Sequence, residues 1–372
     1  MRVLVVSGIW PPDVGGPASH APDVASFLVE RGHSVHVLTT AAAEPAPQRY
    51  PVTWLSRRIP KGALHVRTGL EIARLARNAD VVYTTGMFGR SAGGAALARR
   101  PYVLKLTADP AFERARRRGM IEGDVDEFQR ARVGPGIRAL RIARDTELRN
   151  AAHVFTPSAY LRELAIGWGV DAERVSVLPN PSPPLPELPA RAELRTSFAM
   201  NGPTLAFAGR LTAQKSLDVA LAAVGAVDGV ALVIAGEGDQ RARLEAIAGD
   251  RVSFIGPQPR RRVVELFAAA DASVLSSTWE NFPHTVVEAL AVGTPVIATT
   301  TGGVAEIVTD GDNGLLVPPG DAGALAAAIE RYFEDDALRE RLRERAKPSV
   351  ERFAPERVFG ELEETLERVA AG

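Results

Sequence analysis

The chain has 372 residues, 46% hydrophobic and 24% charged, and a formal net charge of −1. That length suits about two domains with their own cores, and the balanced charge argues against nucleic acid or an anionic membrane as partner of the molecule as a whole. The absence of cysteine excludes disulfides and thiolate metal sites, which fits a reducing compartment.

The first apolar run, Val3–Ser7, is too short for a secretory signal and reads as a strand. No stretch approaches the roughly 20 apolar residues of a membrane span, so the expected location is cytoplasmic. Strands are then expected at 34–39, 52–55, 81–84, 102–106, 154–156 and 175–178, with helices at 19–31, 70–77, 92–99 and 137–150. Alternation of this kind signals a parallel sheet covered by helices. From Leu178 to Pro189 the prolines are too dense for anything but an extended linker. The pattern restarts at Thr204–Ala208, followed by strands at 231–235, 252–255, 272–275 and 296–299, each expected to lead into a helix. Amphipathic helices are expected at 322–333, 337–346 and 355–369. Phe353, Val358, Phe359, Leu362, Leu366 and Val369 fall on one face of the terminal segment.

The expected architecture is therefore two doubly wound α/β domains, in which ligands bind outside the carboxyl ends of the strands. Several loops at those ends carry suggestive chemistry. Gly15-Gly16 precede the first helix, where glycine lets backbone approach a ligand closely; an ordinary tight turn is the plainer alternative. Arg210 and Lys215 stand five residues apart after the Thr204–Ala208 strand, a fixed fork and a mobile ammonium that can grip a diphosphate together. Glu237, inside Gly236-Glu237-Gly238, and Gly256-Pro257 occupy turns after later strands, the last able to line a base pocket. Most telling is the segment from Ser277 to Ile297. Its polar loop feeds a helix near Pro283, presenting free amides and the positive dipole end to an anion. Glu280 lies in the loop, and Glu288 eight residues on. The alternative is a capped helix with two surface glutamates.

Together, Gly209-Arg210 with Gln214-Lys215-Ser216-Leu217, Gly236-Glu237-Gly238, Glu280 and Glu288, Gly293-Thr294-Pro295-Val296-Ile297-Ala298 and Gly302-Gly303-Val304 resemble the retaining GT-B glycosyltransferases of family 4. The resemblance covers nearly all of the second half in order and spacing, and more loosely the Gly-Gly-Pro loop and Leu178-Pro179-Asn180. It implies two doubly wound, Rossmann-like domains facing across a cleft: residues 1–185, with the helix at 355–371 packing back on them, and residues 190–350. It implies hexosyl transfer from a nucleoside-diphosphate sugar to an acceptor hydroxyl, in a glycan, a lipid-linked carrier at the inner face of the membrane or a small molecule. Arg210 and Lys215 would hold the diphosphate, Glu280 the donor sugar and Glu288 the ribose. Backbone around Asn281, Phe282, Pro283, His284 and Thr285 would meet sugar and phosphate, and Gly16 would approach from the first domain. Relatives often carry a His after a first-domain strand. Here that run, Tyr102–Pro110, has Thr107 nearest the place and resembles a subgroup with a Lys and an Asp, making Asp109 a candidate substrate contact.

No metal or other cofactor is expected. Asp124-Val125-Asp126 has the Asp-x-Asp form of metal-dependent transferases but follows no strand, and His33 and His36 show no metal partner in sequence. Arg114–Arg118 is locally basic, a solvated face or a contact for an anionic headgroup. A sugar-nucleotide epimerase of the same build is the rival enzyme, and a degenerate partner that keeps the fold without activity is the rival non-enzyme.

Overall fold

The computed structural model describes residues 1–372 except Pro12, Val14, Gly15, Glu122, Asp124, Arg132, Val133 and Pro183, with backbone alone over Gly16–Ser19. The chain divides into two units, Met1–Asn180 with Glu356–Gly372, and Pro181–Pro355.

The first unit runs β1 (Arg2–Ser7), α1 (Gly16–Glu30), β2 (Ser34–Ala41), β3 (Val52–Ser56), α2 (Lys61–Ala76), β4 (Val81–Thr84), α3 (Phe88–Ala98), β5 (Tyr102–Lys105), α4 (Pro110–Arg117), α5 (Val125–Arg130), α6 (Pro135–Arg149), β6 (His153–Thr156), α7 (Ala159–Gly167) and β7 (Val175–Val177). Its strands form one sheet in the order β3-β2-β1-β4-β5-β6-β7, with each pairing parallel. Helices cover both faces, so the strands are apolar throughout rather than alternating. The second helix begins at Lys61, nine residues before the expected Leu70, because exposed Val66 and Leu70 blur its apolar stripe. The helices α4, α5 and α7 are short and were not expected.

The second unit runs α8 (Arg191–Ser197), β8 (Thr204–Ala208), α9 (Leu217–Ala226), β9 (Ala231–Ala235), α10 (Arg241–Ile247), β10 (Val252–Gly256), α11 (Arg260–Ala269), β11 (Ala272–Leu275), α12 (His284–Ala291), β12 (Val296–Thr299), β13 (Gly314–Val317), α13 (Ala322–Glu334) and α14 (Asp336–Ser349). The sheet order is β10-β9-β8-β11-β12-β13, again parallel. Contrary to expectation, no helix of full length follows β12. A short 3₁₀ turn, Gly302–Glu306, leads to β13, a brief apolar run set between Gly311-Asp312-Asn313 and Pro318-Pro319-Gly320, which read as loop. Asn313 stabilises that connection, its Oδ1 accepting from Thr309 N at 2.7 Å and its Nδ2 donating to Ile307 O at 2.9 Å.

The terminal helix α15 (Pro355–Ala371) buries Val358, Phe359, Leu362 and Leu366 with Val3, Val5, Val37 and Tyr83 of the first unit. Its Glu363 accepts from Arg31 at 3.0 Å and meets His33 at 2.7 Å. Phe353, assigned by its spacing to the same stripe, packs instead in the second unit's core, edge-on to Phe282 at 5.4 Å. In both sheets strand order reverses once, between β1 and β4 and between β8 and β11, and ligands of such folds bind outside the carboxyl ends at that point.

Candidate active site

At the β8/β11 reversal two loops are sewn together. After β8 the chain passes Gly209 and Arg210 into a 3₁₀ turn, Ala213–Lys215. Ser216 then adopts a left-handed conformation at φ 42°, a cost of about 1–2 kcal/mol for a residue with a Cβ. The loop after β11 is held against this turn. Thr278 N donates to Gln214 O at 2.9 Å, Gln214 Nε2 to Trp279 O at 2.7 Å and Ser276 Oγ to Lys215 O at 2.9 Å. Below it, Thr299 Oγ1 donates to Ser277 O at 2.6 Å and Thr301 Oγ1 to Thr278 O at 2.7 Å. Gly303 N donates to Glu280 O at 3.1 Å. Gly302, at φ +50°, lies so close that a Cβ there would overlap the Glu280 carbonyl oxygen. Only glycine fits this contact.

The scaffold brings charges together. Lys215 Nζ donates to Glu280 Oε1, and Ser277 Oγ donates to the same oxygen at 2.6 Å. Glu280 is 6% exposed, so the pair is shielded from solvent. An ammonium has three donors, and two remain after the bond to Glu280. Arg210 is exposed, with no hydrogen bond from its guanidinium among the described residues. Ser277 was missed in sequence, although its place three residues before Glu280 is where a hydroxyl would meet that carboxylate.

Helix α12 follows from Pro283, whose side chain provides no cap; Val286 N bonds back to Pro283 O at 3.1 Å, and the positive end of the helix dipole faces the loop. Val286, Val287, Ala289, Leu290 and Ala291 are buried, and so is Glu288 between them. Arg260 Nε reaches Glu288 Oε1 at 3.3 Å. Burial holds the Glu288 carboxyl above its usual range, with Arg260 acting in the opposite sense. Asn281, Phe282 and Pro283 are buried and His284 is exposed. The Phe282 ring lies in the core, so its expected donor contact falls to its backbone. Glu237 is exposed and paired with Arg241 at 2.7 Å. Gly256 O accepts from Gly236 N at 2.9 Å, which joins the β9 and β10 turns, and Pro257 is exposed beside it.

In the first unit the expected site residues are arranged differently. Gly15 lies outside the described residues, and Gly16 opens α1. Asp109 is 1% exposed and has no open oxygen. Oδ1 caps α4 by accepting from Ala111 N and Phe112 N, and Oδ2 accepts from Gln129 Nε2 at 2.9 Å and Arg144 Nη1 at 2.8 Å. Arg144 also stacks on Trp168 at 3.8 Å. Asp109 thus braces the loop after β5, and a substrate contact from its side chain would have to break this network. Asp124 is outside the described residues, and Asp126 accepts from Tyr160 Oη at 2.6 Å. Arg114 is half-buried against Glu147 at 3.3 Å, unlike its exposed neighbours Arg116–Arg118. His33 does have carboxylate neighbours, supplied by α15: its ring and Glu363 and Glu367 offer ligand atoms within 4.8 Å of one another. Arg31 already occupies Glu363 there.

Comparison with known proteins bears on both halves. The family described as Glycosyl transferases group 1 matches residues 192–348, and the Glycosyl transferase 4-like domain matches residues 15–181. The chain is a group 1, family 4-type glycosyltransferase. It is 29% identical to a D-inositol 3-phosphate glycosyltransferase of Xylanimonas cellulosilytica, over 92% of this chain and 88% of that one. It is 26% identical to a glycogen synthase of Mycobacterium tuberculosis, again over 92% and 88%. The crystal structure of HepE from Anabaena in complex with UDP and glucose superposes with a TM-score of 0.77 at 21% identity, covering 99% of this glycosyltransferase and 100% of that chain. That likeness establishes the fold: two Rossmann-like units of the GT-B class. No helix among the described residues is long and apolar enough to cross a membrane.

Proposed function

We propose that this glycosyltransferase moves a hexosyl group from a nucleoside-diphosphate sugar to an acceptor hydroxyl, with retention at the anomeric carbon and without a metal ion. The observation that carries this reading is the convergence of Lys215, Ser277 and Glu280 at the β8/β11 reversal, next to the start of α12. A related fold binding UDP and glucose supports the donor class.

Arg210 and the two unused donors of Lys215 take the diphosphate oxygens, aided by the positive end of the α12 dipole. Glu280, buried and oriented by Lys215 and Ser277, accepts from a donor-sugar hydroxyl. Glu288 accepts from the ribose hydroxyls. In the reaction the anomeric C1–O bond to the diphosphate breaks as the acceptor oxygen bonds to C1 on the same face. The acceptor proton passes to the departing phosphate oxygen. Charge gathers on that diphosphate, where preorganised donors stabilise the transition state more than the ground state.

The reading is tested by incubating the protein with UDP-, GDP- and ADP-hexoses, with water as the acceptor, and following the first-formed free sugar by NMR. The proposal predicts slow turnover of one donor, an anomer matching that donor's, and an unchanged rate in EDTA. An inverted first anomer contradicts retention. Loss of rate in EDTA restored by Mn²⁺ or Mg²⁺ contradicts metal independence, and no turnover of any donor contradicts transfer.

A further inference from the structure

Glu288 is an unusual residue to find on α12. It is 7% exposed, flanked on both sides by buried aliphatic residues, and burial of a carboxylate favours its neutral form. A protonated carboxyl gives up acceptor capacity, so a glutamate that reads hydroxyls has to be kept ionised.

The elements packed on α12 supply little for that purpose. Strands β11 and β12 carry no charged residue. Helix α14 turns Leu338, Leu342 and Ala346 inward. Its Arg343 donates to Ala270 O and Asp271 O, Arg341 to Gly311 O and Arg345 to Asp312; Arg339 pairs with Asp336, and Glu340, Glu344 and Lys347 are exposed. On α11, Arg261 and Arg262 both pair with Glu265. On α12 itself the other titratable side chain is the exposed His284, one turn before Glu288. Arg260 is the charged group that acts on Glu288, from the first position of α11 and with its side chain 53% exposed. It bonds through Nε to Oε1 alone at 3.3 Å, and Oε2 has no hydrogen bond among the described residues.

We propose that Arg260 is a positioning residue for the donor: its bond to Oε1 holds Glu288 as an ionised acceptor, leaving Oε2 and the second lone pair of Oε1 for the two ribose hydroxyls. This rests on the assignment of Glu288 to the ribose. Arg260 stays in place when the nucleotide binds, and its contribution grows as pH falls, when the buried carboxyl would otherwise take up a proton.

The test is calorimetric titration of wild-type protein, Arg260→Gln, Arg260→Lys and Glu288→Gln with UDP, GDP and ADP, continued from pH 8.5 to 5.5 with the tightest. At pH 8.5 Arg260→Gln is expected to bind within about two-fold of wild type, since an exposed arginine adds little to an already ionised partner. By pH 5.5 its affinity should be lower by on the order of three- to ten-fold, because without the arginine the buried carboxyl takes up its proton more readily. Arg260→Lys should recover part of the loss, and in the Glu288→Gln background Arg260→Gln should have no further effect. An Arg260→Gln loss of equal size at every pH would mean a merely structural role and overturn the proposal. So would tighter binding at pH 8.5 converging with wild type at low pH, which would mark Arg260 as a group the ribose displaces. If wild type binds none of the three nucleotides, the donor reading itself fails, an outcome distinct from either.

Discussion

The two sheets share one strand order, yet the residues at their reversal points are put to opposite uses. At the β8/β11 end the buried carboxylates Glu280 and Glu288 are each paired with a cation that keeps some exposure, Lys215 and Arg260, and Arg210 is exposed after β8. At the β1/β4 end the polar side chains at the strand ends are buried, and beside them the part-exposed Arg57 reaches Gly8 O and pairs with Asp13. Ser7 pairs with Thr39, and one step earlier Val6 pairs with Thr84 and Thr84 with Leu104, so Thr39, Ser7, Thr85 and Lys105 follow one another across the sheet. All four are 5% exposed or less, and the hydroxyls of Thr39 and Thr85 have no hydrogen-bond partner among the described residues. Lys105 donates to Pro179 O at 3.2 Å, and burial pulls its ammonium down to about 7. Asp109 and Arg144 complete this interior set. The same topology offers the same edge twice, but the cations differ in exposure: Lys105 and Arg144 are buried, whereas Lys215 and Arg260 keep part of their surface. In the first unit charge fixes the loops themselves.

If this contrast is sound, substitutions in the two sets should fail in different ways. The largest effect is expected from Asp109→Ala, which leaves the Arg144 guanidinium buried with Asp145 as its one counter-charge among the described residues. Stripping one partner from a buried pair costs about 3–5 kcal/mol, read as a lower midpoint in chemical denaturation. A midpoint near wild type, with activity lost, would make Asp109 a substrate contact and collapse the contrast. Lys215→Ala should do the reverse, lowering kcat by about 10²–10³, as removal of one charge-stabilising donor does, with the fold retained by circular dichroism. Normal turnover would place the chemistry elsewhere.

Lys105→Met sharpens the comparison with a smaller effect. The folded ammonium titrates near 7, below the usual lysine value of about 10.4. Below pH 7 folded and unfolded chains both hold the proton, and the cost of burying it is fully present. Between those values only the unfolded chain holds it, so stability rises with pH. Lys105→Met removes the cost, and its melting temperature should exceed wild type by at least about 2 °C at pH 6.5, the gap closing toward pH 10. A variant less stable than wild type at pH 6.5 would show that the bond to Pro179 outweighs the buried charge.

How much of this was legible in the sequence depends on how local each interaction is. Arg210, Lys215, Glu280 and Glu288 stand in short loop-to-helix segments whose spacing and turn residues carry their meaning, and the structure brings Lys215 and Glu280 into contact across 65 residues. The α15 stripe from Val358 to Leu366 was legible from its helical period. Asp109 was not, because its partner Arg144 lies 35 residues away on a helix with its own amphipathic pattern. Arg260 was hidden for the same reason, 28 residues from Glu288 and inside a run of three arginines that reads as a solvated face. Strand β13 escaped because the turn residues on both sides of it, Gly311-Asp312-Asn313 and Pro318-Pro319, read as loop.

The central claim, that the β8/β11 reversal holds the donor diphosphate, is tested most directly by thermal unfolding of wild type and Lys215→Ala with UDP, GDP and ADP. A ligand at about 100 times its dissociation constant stabilises the folded state by about 2.7 kcal/mol. At least one nucleotide should therefore raise the wild-type melting temperature by several degrees, with most of the shift lost in Lys215→Ala. An equal shift in both proteins, or none in wild type with any of the three, would contradict the account.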